Sequence, residues 1–263
     1  MNKKLLSLAF VATLLAGCAS APPAPTAQAA PTAKLRAVIN YGNPVLAKRG
    51  PDGQPTGVSV DLAREMARRL GVPVEFTTVD SARVTSELLR DGKADVGFVA
   101  RDPARSADFD QTTPYVIIEG AYMVRANSPV QRNEEVDKAG TRIAVGRGSA
   151  YDLYLTREIK AATLVRTQTS AVVVDEFMKQ NLEVAAGVKQ QLEADAKRVG
   201  GVRILPGRFM VIEQAVGVPK GRPQAYAWLG NFVEEMKASG FVAEALKRHG
   251  IEGAAVAPAA AGR

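Results

Sequence analysis

The order of apolar segments predicts an α/β fold built as two lobes, and three observations carry that prediction. A β-α-β-α-β order runs from Leu35 to Ala100, and the same order begins again at Arg142. After the first run comes a long apolar stretch, Val116 to Val124, with no helix before the next strand, and after the second a lysine-rich helix and a further strand lead to another long stretch, Phe209 to Val218; each reads as a crossover from one lobe to the other. The chain therefore crosses twice, out and back.

In the first run, Leu35 to Ile39 reads as a short strand ending at the turn-forming Asn40-Tyr41-Gly42-Asn43-Pro44. A helix follows over about Asp61 to Leu70, where Leu62, Met66 and Leu70 recur every fourth residue, and Gly71 stops it. Val74 to Val79 alternates as a strand, Ser81 to Arg90 repeats the amphipathic pattern, and Ala94 to Ala100 closes the run. Strands joined through helices in this way lie parallel. In the second run the strands are Arg142 to Val145, Thr163 to Thr167 and Leu182 to Ala186, with helices over Tyr151 to Lys160 and Val172 to Lys179. Glu119-Gly120 interrupts the first long stretch, and Glu213-Gln214 sits in the middle of the second. Trp228, Phe232 and Met236, spaced four apart, form with Leu246 the apolar stripe of closing helices that cap the first lobe. The expected division is 35–120 with 213–252 for the first lobe, 121–212 for the second, and a disordered Ala-rich tail over 253–263.

The amino end is not part of that core. Met1 to Cys18 has two lysines, a short apolar run and small residues, the pattern of an export signal too short to span a bilayer. Leu15-Ala16-Gly17-Cys18 looks like the cleavage site of bacterial lipoproteins, so residues 1–17 are expected to be a signal peptide and Cys18 a lipidated first residue. Acyl chains there would hold the protein on a membrane face. Cys18 is the one cysteine of the chain, which excludes an intramolecular disulfide and a cysteine metal cluster. Residues 18–34 are alanine, proline and threonine with little to build a core, and are expected to form an extended tether.

With 34 Lys and Arg against 27 Asp and Glu the chain is mildly basic, and its cations are scattered along helices without aromatic interleaving. A nucleic-acid surface is therefore not expected, and anionic lipid or anionic solutes are the natural partners of this charge.

The chemistry concentrates in Asp91 to Tyr115, DGKADVGFVARDPARSADFDQTTPY. The apolar run ending at Ala100 places Asp102-Pro103-Ala104-Arg105 just beyond the carboxyl end of a strand, where ligands bind in open α/β sheets. A guanidinium there is shaped to grip a carboxylate through two parallel hydrogen bonds, although Arg105 could also be a loop cation paired with Asp102 or Asp108. Gly146 to Tyr151 lies between a strand and a helix, so the amides of Ser149, Ala150 and Tyr151 would point from the helix start toward the same region. Ser149 can cap that helix at the same time. Nothing fixes the direction of Arg147.

The order G(x)VDLA, helix, LGV, strand, helix, DGKAD, strand, DPAR and PY, here Gly57 to Tyr115, resembles the first lobe of the bacterial extracellular solute-binding proteins of family 3, the polar amino-acid type. The resemblance continues through GTRIAVGRGSA, Gly140 to Ala150, to the carboxyl-terminal helices. It implies a two-lobed periplasmic-binding-protein-like fold with a hinge of two strands that closes on a solute in the cleft. It implies further that Arg105 holds the solute's carboxylate and that the Ser149 loop donates to it. The implied partners are a small carboxylate-bearing solute and an ABC permease in the membrane. The protein would be an exported, periplasmic monomer with no cofactor and no metal.

Two positions depart from the family. Ala100 stands where the family usually has a serine or threonine, and Ala186-Gly187-Val188-Lys189 stands where an acid usually ends the last strand of the second lobe. A solute ammonium would need another acceptor, or the pocket takes a different ligand. Asp102, Glu119 and Asp152 are the available acids, Asn40, Asn43 and Gln190 could supply neutral hydrogen bonds, and Tyr41 or Tyr122 an aromatic wall.

Catalysis is weakly supported. The one histidine, His249, ends a Lys-Arg-His-Gly helix terminus, and no zinc-protease, phosphate-loop or calcium-loop motif occurs. Two alternatives stay open: a periplasmic dehydratase acting on aromatic-acid precursors, which uses the same fold, and a sensor module for a membrane kinase.

Overall fold

The computed structural model describes residues 25–260. Cys18 and the signal segment lie outside the described residues. Strands form in the expected order: β1 (Leu35–Asn40), a small hairpin of β2 (Lys48–Arg49) and β3 (Pro55–Thr56), β4 (Val74–Val79) and β5 (Val96–Ala100). Helices α2 (Val58–Leu70) and α3 (Ala82–Arg90) alternate with them, after a short α1 (Pro25–Ala29). Gly71 ends α2 in a left-handed conformation, and Ser81 caps α3 through its hydroxyl on the Val84 amide.

The first lobe's sheet runs β4-β1-β5-β12, where β12 is Met210–Pro219 and β6 (Phe109–Gln111) pairs with its outer end. β1 is parallel to both β4 and β5. The second lobe's sheet runs β7-β10-β8-β9, from β7 (Val116–Arg125), β8 (Arg142–Gly146), β9 (Thr163–Thr167) and β10 (Val184–Val188), with β11 (Val202–Ile204) antiparallel on β7. Helices α4 (Ala150–Glu158), α5 (Val173–Lys179) and α6 (Lys189–Val199) flank it.

β7 and β12 join the lobes as one antiparallel pair. β7 bonds β12 over Val116 to Gly120 and β10 from Gly120 to Val124, so it changes partner, and lobe, at Gly120. A Cβ on Gly120 would lie 2.6 Å from the Met210 side chain, so any larger residue there would displace it. Separate cores fill the two lobes: Leu62, Met66, Phe232 and Met236 are buried in the first, and Ile143, Leu155 and Val184 in the second. Helices α7 (Pro223–Ala238) and α8 (Phe241–Arg248) close the first lobe, with Trp228 half-buried and stacked on Phe232.

Three expectations are corrected. The tether is not extended over residues 25–30, where α1 packs on α7: Ala29 and Ala30 are buried, and the Gln28 carboxamide oxygen accepts from the Gln224 amide at 2.8 Å in the first turn of α7. The Ala-rich tail is not disordered over its described part, because β13 (Ala255–Val256) pairs antiparallel with β7 and Ala257 is buried with its amide on the Tyr115 carbonyl. The third strand of the second lobe begins at Val184 rather than Leu182. Helix α5 ends there in a Schellman turn, with Asn181 left-handed at φ 50° and the Leu182 amide on the Phe177 carbonyl.

Candidate functional site

Strand β5 delivers the chain to the edge of the sheet at Ala100, and Asp102 turns it back. The Asp102 carboxylate accepts from the Ala104 amide at 2.8 Å, and Pro103 opens a single 3-10 turn whose last residue is Arg105. The guanidinium folds under the strand end, donating to the Ala100 carbonyl at 2.6 Å. Its other amino group crosses to the second lobe and donates to the Gly148 carbonyl at 2.9 Å. Arg105 is only 4% exposed, yet no carboxylate accepts from it among the described residues. Burial pulls its pKa down to about 10, with the Asp102 charge opposing, so it stays cationic at neutral pH.

The second lobe meets this cation with a helix terminus. Gly148 is left-handed, and a Cβ there would come within 2.8 Å of the Arg83 side chain on α3, so only glycine lets the two lobes approach this closely. The Ser149 hydroxyl caps α4 on the Asp152 amide at 3.0 Å, which leaves the first-turn amides of Ala150 and Tyr151 without intrahelical acceptors. The Tyr151 hydroxyl donates to Ser170 at 2.8 Å, and burial pushes the phenol pKa up.

Between the lobes these groups enclose a cavity of about 40 Å³. Six predicted residues line it: Asn40, Asn43, Arg105, Ser149, Ala150 and Tyr151. Ala100 contributes to the floor, and Val188 and Ile212 to the apolar wall.

Other predicted residues are placed elsewhere. Asp102 is sequestered in an ion pair across the lobes, with both carboxylate oxygens on the Arg157 guanidinium at 3.0 and 2.9 Å. Asp152 accepts from the Gly148 amide at 2.8 Å and from Arg166 at 2.9 Å. Glu119 is held by Lys189 at 3.1 Å and Arg208 at 2.8 Å, and these two cations lower its pKa against burial. Glu119 and Gln190 line a separate, more open cavity of about 750 Å³ between α6, the Pro44 loop and Gly250 to Gly253. Tyr122 stacks on Phe209 at 4.2 Å within the second core, Tyr41 lies beneath Arg49, and Arg147 is exposed. His249 bonds Asp61 at 2.8 Å and ties α8 to the start of α2.

Two polar lining residues were given no site role by the sequence reading. Gln214 is 5% exposed on β12, opposite Ala100, and its side chain makes no hydrogen bond to another described residue. Its signal was a carboxamide that, with Glu213, interrupts a mostly apolar strand. Ser170 reaches the cavity from the loop after β9, through a topology that no local pattern reveals.

Among the described residues no three His, Cys, Asp or Glu side chains come together in a way that could hold a metal ion, and no helix is long and apolar enough to cross a membrane.

Solved structures share this architecture. A putative ABC-transporter binding component from Wolinella succinogenes complexed with lysine superposes with a TM-score of 0.71 at 22% identity, covering 82% of this chain and 95% of that one. The solute receptor for L-cysteine of Neisseria gonorrhoeae gives 0.74 at 21% identity, covering 85% and 92%. An ancestral amino acid-binding protein that is a precursor of cyclohexadienyl dehydratase gives 0.70 at 21%, covering 82% and 95%. At these identities the likeness establishes the fold. No curated protein matches the chain. The family profile, by contrast, matches residues 35–252, from the first strand of the sheet to the end of the closing helices, and by that match the chain belongs to the bacterial extracellular solute-binding proteins, family 3.

Proposed function

We propose that this protein is the substrate-binding component of an ABC importer and captures a small carboxylate-bearing solute, an amino acid or a related organic acid, between its lobes. The observation that carries the reading is Arg105: a buried guanidinium whose protein partners are two neutral carbonyls, facing the free first-turn amides of α4. A carboxylate placed there would meet the cation and the helix terminus together. A cavity of about 40 Å³ admits a solute only when the lobes part, so capture and release would follow hinge motion at Gly120.

The lining has no carboxylate or imidazole to move a proton, which favours a receptor over a dehydratase. Turnover of a prephenate-like compound by purified protein would reverse that preference. We propose also that the protein is exported and lipid-anchored through Cys18, acting as a monomer beside its permease. Cys18→Ser should then move it from the membrane fraction to the soluble one.

Isothermal calorimetry over amino acids and organic acids tests the site. Arg105→Ala should weaken the best solute by about 2 to 5 kcal/mol, the usual cost of removing one partner of a buried charge pair. Unchanged affinity would refute the assignment.

A further inference from the structure

We infer that the solute carries, beside its carboxylate, a neutral hydroxyl rather than an ammonium: the head group is that of a 2-hydroxy acid and not of an α-amino acid. This rests on the receptor reading above and specifies the chemistry of that same site.

Charge balance is the first ground. The residues lining the cavity include one cation, Arg105, and no acid. A monoanion brings the enclosed charge to zero, whereas a zwitterion leaves it at the charge of the guanidinium and adds a second buried cation nearby. The three acids that the sequence offered for an ammonium are already committed. Asp102 is bidentate to Arg157, Asp152 is held by Arg166 and the Gly148 amide, and Glu119 lies in the other cavity between Lys189 and Arg208. Recruiting any of them to an ammonium would break an existing ion pair to make a new one, with no net gain in pairs.

The neutral acceptors lead to the same conclusion. The Ala100 carbonyl takes bonds from both Arg105 and the Gln111 amide group, and the Gly148 carbonyl takes one from Arg105. The Asn40 side-chain oxygen accepts from the Gly42 amide, and the Ser170 hydroxyl accepts from Tyr151. Of the side-chain amide oxygens lining the cavity, those that accept no bond from another described residue are that of Asn43, which is buried, and that of Gln214. Two carboxamides suit a hydroxyl, which donates once and accepts in return, while an ammonium has three donors and no use for a carboxamide N–H.

The test is calorimetry at pH 7 with pairs that differ only in that group: glycolate and glycine, lactate and alanine, malate and aspartate, phenyllactate and phenylalanine. In every pair that binds, the hydroxy acid should be tighter by about tenfold or more, because the amino acid buries a charge with no acid to meet it, and Arg105→Ala should abolish the binding. An amino acid that binds as tightly as its hydroxy partner, or tighter, and is lost in Arg105→Ala would overturn this inference and leave the receptor reading standing. Failure of both members of every pair, or binding untouched by Arg105→Ala, would overturn both. Gln214→Leu, checked for a wild-type melting transition, should reduce the preference for lactate over propionate. Asn43→Ala is read the same way, and an unchanged ratio in both variants would remove the two carboxamides from the argument and overturn the hydroxyl assignment.

Discussion

The two ends of strand β5 bury charge in opposite ways. At its amino end Asp95 is fully buried and answered by two arginines: Arg36 grips both carboxylate oxygens, at 3.0 and 2.7 Å, and Arg222 adds a bond at 2.8 Å. Burial pushes that carboxyl's pKa up, but the hydrogen bonds from Arg36 and Arg222 prevail and hold it below its ordinary value. At the carboxyl end, Arg105 is buried almost as deeply and meets only carbonyl oxygens of the protein. One end is electrostatically complete and serves the fold, tying β1, β5 and the start of α7 together. The other is incomplete in the isolated chain and can be completed by a guest.

That contrast is broken most directly at Asp95. Asp95→Ala would leave Arg36 and Arg222 without their shared acid and should cost about 3 to 5 kcal/mol of stability, read as a lowered urea midpoint, while the molecules that stay folded bind solute as wild type does. Loss of affinity comparable to the loss of stability would mean that the two ends are not separable. Arg105→Met should do the reverse. Solute binding disappears, but unfolding free energy moves by no more than about 1 kcal/mol, because the variant removes a buried charge that no acid of the protein was neutralising. A large drop in stability would make Arg105 a structural residue.

The complete and incomplete ends were not equally legible. Arg105 could be placed because the elements that aim it, a strand ending at Ala100 and an Asp-Pro turn, are contiguous in sequence. Gln214 was seen but given no role, since its position opposite Ala100 depends on β12 returning from the other lobe. The lobe order and most element boundaries followed from periodicity, which reports burial within one segment. The ends of the chain did not, because alanine composition says how little core a segment can build alone. It does not say whether that segment can dock on a core already present, as Ala29, Ala30 and Ala257 do. Helix capping from a distance, by Gln28 on α7, leaves no local trace either. The acids offered for a solute ammonium failed for a related reason: each found its arginine or lysine on a different element, and pairing across a fold is invisible to spacing.

Asp102 and Arg157 refine the comparison, being a complete pair divided between the lobes. Asp102 belongs to the turn after β5 and Arg157 to α4, so the pair exists only when the cleft is shut. Arg157→Ala spares the Asp102 contact to Ala104 that sets the Arg105 turn, and therefore isolates closure. With the Arg157 side chain 40% exposed, its loss should cost about 1 kcal/mol. Solute affinity should fall roughly fivefold, with little change in melting temperature. Small-angle scattering should show a wider molecule at equal solute concentration. If both affinity and scattering match wild type, the pair does not hold the cleft closed.

The smallest effect belongs to a cluster that is complete in the same sense as Asp95 but lies near the surface. Glu65 on α2 accepts from Arg68 and Arg69, each at 2.7 Å, and Arg69 also reaches Glu235 of α7 at 2.6 Å. Hydrogen bonds from Arg68 and then Arg69 outweigh burial and lower the Glu65 pKa from 4.5 to about 2. A carboxyl depressed in the folded state contributes stability that is whole above its unfolded value and is lost as pH falls through the folded one. The window therefore runs from about 4.5 down to about 2. Solvent screening holds the gain to about 1 kcal/mol. Comparing urea unfolding of wild type and Glu65→Gln, the wild-type advantage should be full at pH 6 and shrink steadily toward pH 2. An advantage that does not vary with pH would place its origin in packing rather than charge, and would separate this cluster from the buried one at Asp95.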